Sequence, residues 1–302
     1  MALVEIYDLI KIYKDIESDI EVPALRGIEL SINTGELVGI LGPSGAGKTT
    51  LLSIIGGLIT PSSGEVIVDD KDIFDMTNKE LINYRRKTIG FLWQLPEENL
   101  IPNITLLKNV ILPMQIADTP LEMQKKQAQE LLDQVGLLPR AHHKPHQISG
   151  GEAARASIAV ALANKPLLLL GDQITGELDS ETSQKVINYL RELNQDLGTT
   201  ILIATHKAQF IDQTDHSYKI KDGRITNVLT STEELKDFAL TKEEYIFVDW
   251  QGNLRLPEEI LTQVSIGNLV KAEVENGIIK LIPVHKKGGK TEKRKNKRRN
   301  NK

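Results

Sequence analysis

The chain has 302 residues, with 41 acidic and 37 basic side chains and a formal net charge of −4. That length accommodates one large domain and a small one. The absence of cysteine excludes a disulfide framework and thiol chemistry.

The near-balance of charge hides an asymmetry. Residues 286–302 hold ten Lys or Arg and one Glu, a net of +9, so the remainder carries −13. A basic tail on an acidic body reads as a solvated arm. No run of 18 apolar residues occurs, and the N-terminus lacks a signal-peptide core. The chain is therefore expected to be cytoplasmic, with any membrane contact made through a partner.

Val4–Tyr13 alternates apolar and polar residues and predicts a strand. Asp15–Pro23 reads as a hairpin connection and Gly27–Ile32 as a second strand. Tyr13, at the end of the first strand, is placed either to stack on a purine or as an ordinary edge aromatic. Glu36–Leu41 predicts a short buried strand, and Thr49–Gly57 an apolar helix start.

Between them lies Gly42-Pro43-Ser44-Gly45-Ala46-Gly47-Lys48-Thr49, the full G-x-x-x-x-G-K-[ST] phosphate loop in strand–loop–helix context. Its glycines let the backbone curl and turn N–H groups onto phosphate oxygens. The helix N-terminus behind it, with Thr50 in the first turn, favours the same anion. Lys48 is expected to reach the β- and γ-phosphates of ATP, and the Thr49 hydroxyl to ligate Mg²⁺.

Downstream, Glu65–Val68 predicts a strand, Asn78–Arg86 a helix and Ile89–Trp93 a buried strand ending in Gln94. Leu95–Asn103 is irregular. Thr119-Pro120 predicts an N-cap and first helical residue for a helix over Leu121–Val135. Ile148–Glu152 opens an alanine-rich helix to about Ala163. Leu167–Leu170 is a buried strand followed by Asp172, where an aspartate holds the magnesium of a phosphate loop. Ser180–Leu197 predicts an amphipathic helix, Thr200–Ala204 a strand ending at His206, and Ser217–Ile220 with Arg224–Val228 a final pair of strands. The alternation implies an α/β fold with a parallel sheet, its ligand at the strands' carboxyl ends beside Gln94, Asp172 and His206.

Ser149-Gly150-Gly151-Glu152, with Arg155 three residues on, matches a signature that phosphate-loop proteins in general lack. With it, residues 2–228 resemble the nucleotide-binding subunits of ABC transporters. The resemblance implies an ABC-type P-loop fold over residues 1–230, with a helical subdomain over about 95–163 and an antiparallel β edge. It assigns Tyr13 to adenine stacking, Gln94 to sensing γ-phosphate and Mg²⁺, Asp179 to the D-loop and His206 to the switch. The runs A-L-R-G-I-E-L-S-I-N-T-G-E-L, L-L-K-N-V-I-L-P-M and T-G-E-L-D-S are most similar to the lipoprotein-release and macrolide-export type. Members of that type pair with FtsX- or MacB-like permeases. The resemblance further implies a head-to-tail dimer with ATP between the phosphate loop of one copy and the signature helix of the other, under an integral-membrane permease.

One position departs from that pattern. Where the family carries a general-base glutamate, this chain has Gln173, which orients water but accepts no proton. ATP binding is expected to survive and hydrolysis to slow by ~100-fold or more. Three accounts stay open: a substitution introduced to trap the closed dimer, favoured by the intact neighbouring positions; a natural degenerate subunit working with an active one; or slow turnover carried by His206. Lesser departures are Ile174, Ala153-Ala154 and a longer segment between Gln94 and Thr105. His142, His143 and His146 form H-H-x-x-H, read as a solvated loop rather than a metal site.

After a linker over 231–243, residues 244–284 (with V-D-x-x-G-x-L-x-L-P-x-E-I from Val248) resemble the AbrB-type swapped-hairpin fold. Leu269–Val274 and Ile278–Ile282 predict a hairpin through Glu275-Asn276-Gly277. Few basic residues precede the tail, which favours dimerisation over nucleic-acid binding. Residues 285–302 are expected to be a disordered basic tail able to touch acidic lipid.

Overall fold

The structure is a computed structural model. It describes residues 1–15, 20–174, 176, 180–207, 210, 213–231, 242–248, 252, 254, 256, 258–264, 270–275 and 278–283. The chain divides into two compact units, Met1–Leu254 and Arg255–Lys302.

The first unit opens with two long antiparallel strands, β1 (Ala2–Lys14) and β2 (Glu21–Asn33), followed by the short β3 (Leu37–Leu41) and helix α1 (Lys48–Ile55). Next come β4 (Ser63–Val68), β5 (Lys71–Asp72), α2 (Asn78–Lys87) and β6 (Ile89–Leu92). Thr77 and Glu80 close a reciprocal capping box on α2. A 3₁₀ turn over Pro96–Asn99 leads to α3 (Leu106–Ile116), α4 (Leu121–Gln134) and α5 (Gly150–Ala161). Then follow β7 (Leu168–Asp172), α6 (Ser180–Leu197), β8 (Thr200–Thr205), β9 (His216–Lys221), β10 (Arg224–Ser231) and β11 (Lys242–Ile246).

The strands form two sheets. One is antiparallel, ordered β2-β1-β4-β5. The other runs β11-β10-β9-β3-β8-β7-β6, parallel from β9 to β6, with β10 and β11 antiparallel at its edge. Leu168–Leu170 and Ile201–Ala204 are buried throughout, as parallel strands covered on both faces must be. Each fully buried Leu or Ile side chain there contributes about 2 kcal/mol. α6 lays Val186, Ile187, Leu190 and Leu193 onto this sheet at helical spacing. Leu106, Val110, Met114, Ala128 and Leu132 form a separate core joining α3, α4 and α5, the expected helical subdomain.

Three local readings differ from the sequence expectation. α3 was not anticipated: Thr105 caps it, and Pro113 sits inside it, where proline normally argues against a helix. α4 starts at Leu121 as expected, but Pro120, in an extended conformation and without a side-chain cap bond, is its N-cap, so Thr119 is not. Instead, the Thr119 carbonyl accepts from the Gln124 side chain at 2.7 Å. β11 extends the large sheet by pairing with β10, so residues 244–246, expected in the C-terminal domain, belong to the first unit.

In the second unit, α7 (Glu258–Gln263) precedes a hairpin of β12 (Val270–Glu275) and β13 (Ile278–Pro283). Its expected turn residues Asn276 and Gly277, the greater part of the 231–243 linker, and the tail from 285 lie outside the described residues.

Candidate functional site

The parallel sheet presents the ends of β3, β8, β7 and β6 side by side. The loop from Gly42 leaves β3, Asp172 closes β7, His206 follows β8 and Gln94 follows β6. One edge of one sheet thus gathers the residues singled out from the sequence.

The phosphate loop curls because its backbone needs glycine for two distinct reasons. Gly45 and Gly47 adopt φ of 78° and 104°, the left-handed region that side chains avoid. At Gly42 the constraint is space: a β-carbon there would sit 2.3 Å from the Ile220 carbonyl oxygen. Within the curl, the buried Lys48 ammonium donates to the carbonyls of Gly42 and Pro43, both at 2.8 Å. Burial pulls the Lys48 pKa down, and the Asp172 charge opposes that pull.

Asp172 is 3% exposed. Burial pushes its carboxyl above the usual range, against a hydrogen bond from Thr49 and the charge of Lys48. Its Oδ1 has no hydrogen-bond partner among the described residues. A buried carboxylate oxygen without a partner is costly and calls for an explanation. Asp172 and the Thr49 hydroxyl together present hard oxygen donors of the kind Mg²⁺ takes, so the donor set fits that ion.

Tyr13 is half-exposed, its hydroxyl 3.5 Å from Thr50 Oγ1 at the start of α1. Its ring also meets the Lys11 ammonium 5.0 Å from the centroid. Tyr13 thus lies beside the phosphate-loop helix.

Gln173 and His206 meet directly, Gln173 Oε1 lying 3.1 Å from His206 Nδ1. Gln173 holds φ at 49°, an unfavourable conformation for a residue with a β-carbon. Two backbone bonds impose it: its N–H donates to Ala204 O at 2.9 Å, and its carbonyl accepts from Gly176 N at 2.7 Å. Gln94 is exposed, and its Nε2 lies 3.8 Å from where a β-carbon on Gly176 would stand. Gln94, Gly176, Gln173 and His206 therefore form a second cluster next to the first. Asp179 lies outside the described residues.

The signature is built differently. Ser149 caps α5: Glu152 N–H donates to Ser149 Oγ at 3.3 Å, and Ser149 N–H donates to Glu152 Oε2 at 2.9 Å. These bonds to Ser149, with the Arg140 and Arg155 charges, outweigh slight burial and hold the Glu152 carboxyl below its usual range. Arg140 pairs with Glu152 at 3.5 Å, a contact between loop and helix that local spacing does not reveal. Ser149 bonds to Glu152 and, through its carbonyl, to Ala153 N–H at 2.8 Å, all within its own helix start. Ser149 and Gly150 are exposed, so the helix N-terminus faces outward. Of the three histidines, His143 sets its Nε2 3.3 Å from the Arg140 guanidinium.

The ABC transporter family pattern matches residues 25–176. An uncharacterized ABC transporter ATP-binding protein of Thermotoga maritima is 41% identical over 226 residues, 75% of this chain and 94% of that protein. A lipoprotein-releasing system ATP-binding protein LolD of Syntrophotalea carbinolica is 40% identical over 74% of this chain and 97% of its own length. Among solved structures, a dimeric ATP-binding cassette in a post-hydrolysis state with ADP and phosphate superposes with a TM-score of 0.67 at 39% identity, covering 74% of this chain and 97% of that one.

Proposed function

The chain belongs to the ABC transporter family as an ATP-binding subunit, and from that premise we propose that it binds Mg-ATP between two copies of itself and drives a separate FtsX- or MacB-like permease. The observation that carries the reading is the Lys48, Thr49 and Asp172 constellation, with its buried, unpartnered carboxylate oxygen. Family members hydrolyse ATP. No described helix is long and apolar enough to cross a membrane.

In this reading the loop N–H groups and the α1 N-terminus bind the β- and γ-phosphates. Lys48 shifts from its two carbonyls toward the phosphate charge. Asp172, Thr49 and Gln94 would hold Mg²⁺, which when bound would supply charge neutralisation for the phosphates. Tyr13 stacks on the adenine. Ser149, Gly150 and Gly151 of the second copy close the site with an outward-facing helix N-terminus, and Asp179 lines the same interface. His206 and Gln173 orient the attacking water. The resemblance of the solved dimeric cassette supports this pairing.

Gln173 accepts no proton, so binding and closure proceed while the chemical step is slow. The test compares steady-state ATPase rates of the chain and Gln173→Glu. We expect the glutamate to raise the rate by ~100-fold or more. An unchanged rate would overturn the role given to this position and favour a regulatory module that closes on ATP without turnover.

The second unit supports pairing as well. By register, Val270, Ala272, Val274, Ile279 and Leu281 share one face of the hairpin, and Val274 and Ile279 are 74% and 68% exposed. The other face carries the Lys271–Glu273 and Lys280–Glu275 pairs beside Ile278 and Ile282. A two-stranded hairpin with one apolar face is not stable alone in water. We assign that face to the same unit of a second copy, as the AbrB-type resemblance implies. From its charge we propose that the basic tail touches acidic lipid near the permease.

A further inference from the structure

We infer that Asn99 is a positioning residue that clasps the backbone around Gln94 and ties it to the signature helix. The inference rests on the proposed role of Gln94 as the γ-phosphate and magnesium sensor.

Gln94 has little of its own to fix it. It is exposed and sits in the irregular stretch after β6, where no ladder holds the backbone. The side chain of Asn99 supplies what the ladder does not. Its Oδ1 accepts from Trp93 N–H at 3.0 Å. Its Nδ2 donates to the Trp93 carbonyl at 3.3 Å and to the Leu95 carbonyl at 3.1 Å. One carboxamide thereby holds the residues before and after Gln94, using its donor and acceptor ends at once. Glu98 N–H also donates to Leu95 O at 3.0 Å, which tightens the same turn.

Asn99 is equally part of the ground the signature helix stands on. With Leu92 and Trp93 it lines a small cavity whose other walls include Ala154, Ser157 and Ile158 of α5, and Ile174 beside Gln173. A shift of α5, whose N-terminus is the signature, is therefore felt at the Asn99 amide, and through it at Gln94. The reverse holds too, because such coupling is reciprocal. Asn99 contacts neither phosphate nor metal in this account; it acts by limiting where the Gln94 side chain can point.

The chain contains two tryptophans, Trp93 and Trp250. Trp93 stacks at 4.2 Å on Phe91 and is bonded at both ends of its backbone to Asn99, so its fluorescence reports on the clasp. In the full-length Trp250→Phe chain, Trp93 emission and nucleotide affinity are measured with Mg-ATP and with Mg-ADP. We expect distinct emission for the two nucleotides and tighter binding of Mg-ATP.

In Asn99→Ala, nucleotide binding persists, but the two emission states merge and the preference for Mg-ATP falls by ~10-fold, the effect of losing one to two net hydrogen bonds. Asn99→Asp keeps size and acceptor but loses both donations; it is expected to lose the preference as well and covers the case in which Ala prevents folding. Either folded variant responding to the two nucleotides as the parent does would overturn the proposal. A parent that binds neither nucleotide would instead overturn the proposed function.

Discussion

At the scale of single residues, Asp172 carries the sharpest consequence. Its folded-state pKa lies above that of an exposed carboxylate because burial penalises the charge. For stability, the sign is that this group's contribution is fully present below the unfolded pKa and is lost as pH rises through the raised folded value. For binding it is the reverse: Mg²⁺ needs the carboxylate, so protons compete with the metal. Affinity for Mg-ATP should therefore fall on acidification at a higher pH than an ordinary aspartate would dictate, whereas magnesium-free ATP, held by the loop N–H groups, should not follow that curve. Titration calorimetry from pH 7 downward, with and without magnesium, checks this. In Asp172→Asn the magnesium-dependent part should vanish at every pH. An equal pH response with and without the metal would remove Asp172 from the site.

At the scale of elements, buried asparagines do work that helices and strands leave undone. Asn109 on α3 is 3% exposed. Its Oδ1 accepts from Ile101 N–H at 2.7 Å, and its Nδ2 lies near the carbonyls of Ile101, Ile104 and Thr105 at 3.2, 3.4 and 3.1 Å. Removing that amide strands several backbone groups away from water. Asn109→Ala should cost about 2–3 kcal/mol of stability, read as a lowered urea midpoint with its slope retained. A cost below about 0.5 kcal/mol would mean that water replaces the bonds.

The same asparagines show where the sequence became hard to read. The phosphate loop, the buried leucine strand and the Ser149 capping box declare themselves within a few residues, because their physics is local. α6 was legible from end to end for the same reason. α3 was not, since Pro113 argues locally against a helix that its packing on α4 and α5 stabilises. Asn99 sits in a stretch that reads as irregular and Asn109 on the helix that Pro113 hides; their bonds become visible only once that segment is folded back on itself. Gly42 reads locally as one of the glycines that let the loop curl, yet its need comes from the Ile220 carbonyl on a distant strand.

At the scale of the whole molecule, the two proposed contacts between copies should respond to different variables. Closure on nucleotide places an outward-facing helix N-terminus against phosphate charge, so it depends on Mg-ATP and on Ser149. Pairing through the β12–β13 hairpin buries aliphatic side chains and depends on neither. If both exist, the full chain is already dimeric without nucleotide, and its two ATPase units meet at a high effective concentration set by the connecting segment. Placing a charge in the apolar face, as in Ile279→Asp, should then give a monomer without nucleotide that still dimerises with Mg-ATP. Adding Ser149→Arg, which sets a cation and bulk at the helix tip, should abolish the nucleotide-driven dimer too. Sedimentation velocity on the full chain, each variant with and without Mg-ATP, separates the two contacts. A nucleotide-free monomer in the parent chain would remove the hairpin as a dimer contact, while an Ile279→Asp chain that stays monomeric with Mg-ATP would mean that closure cannot proceed without it.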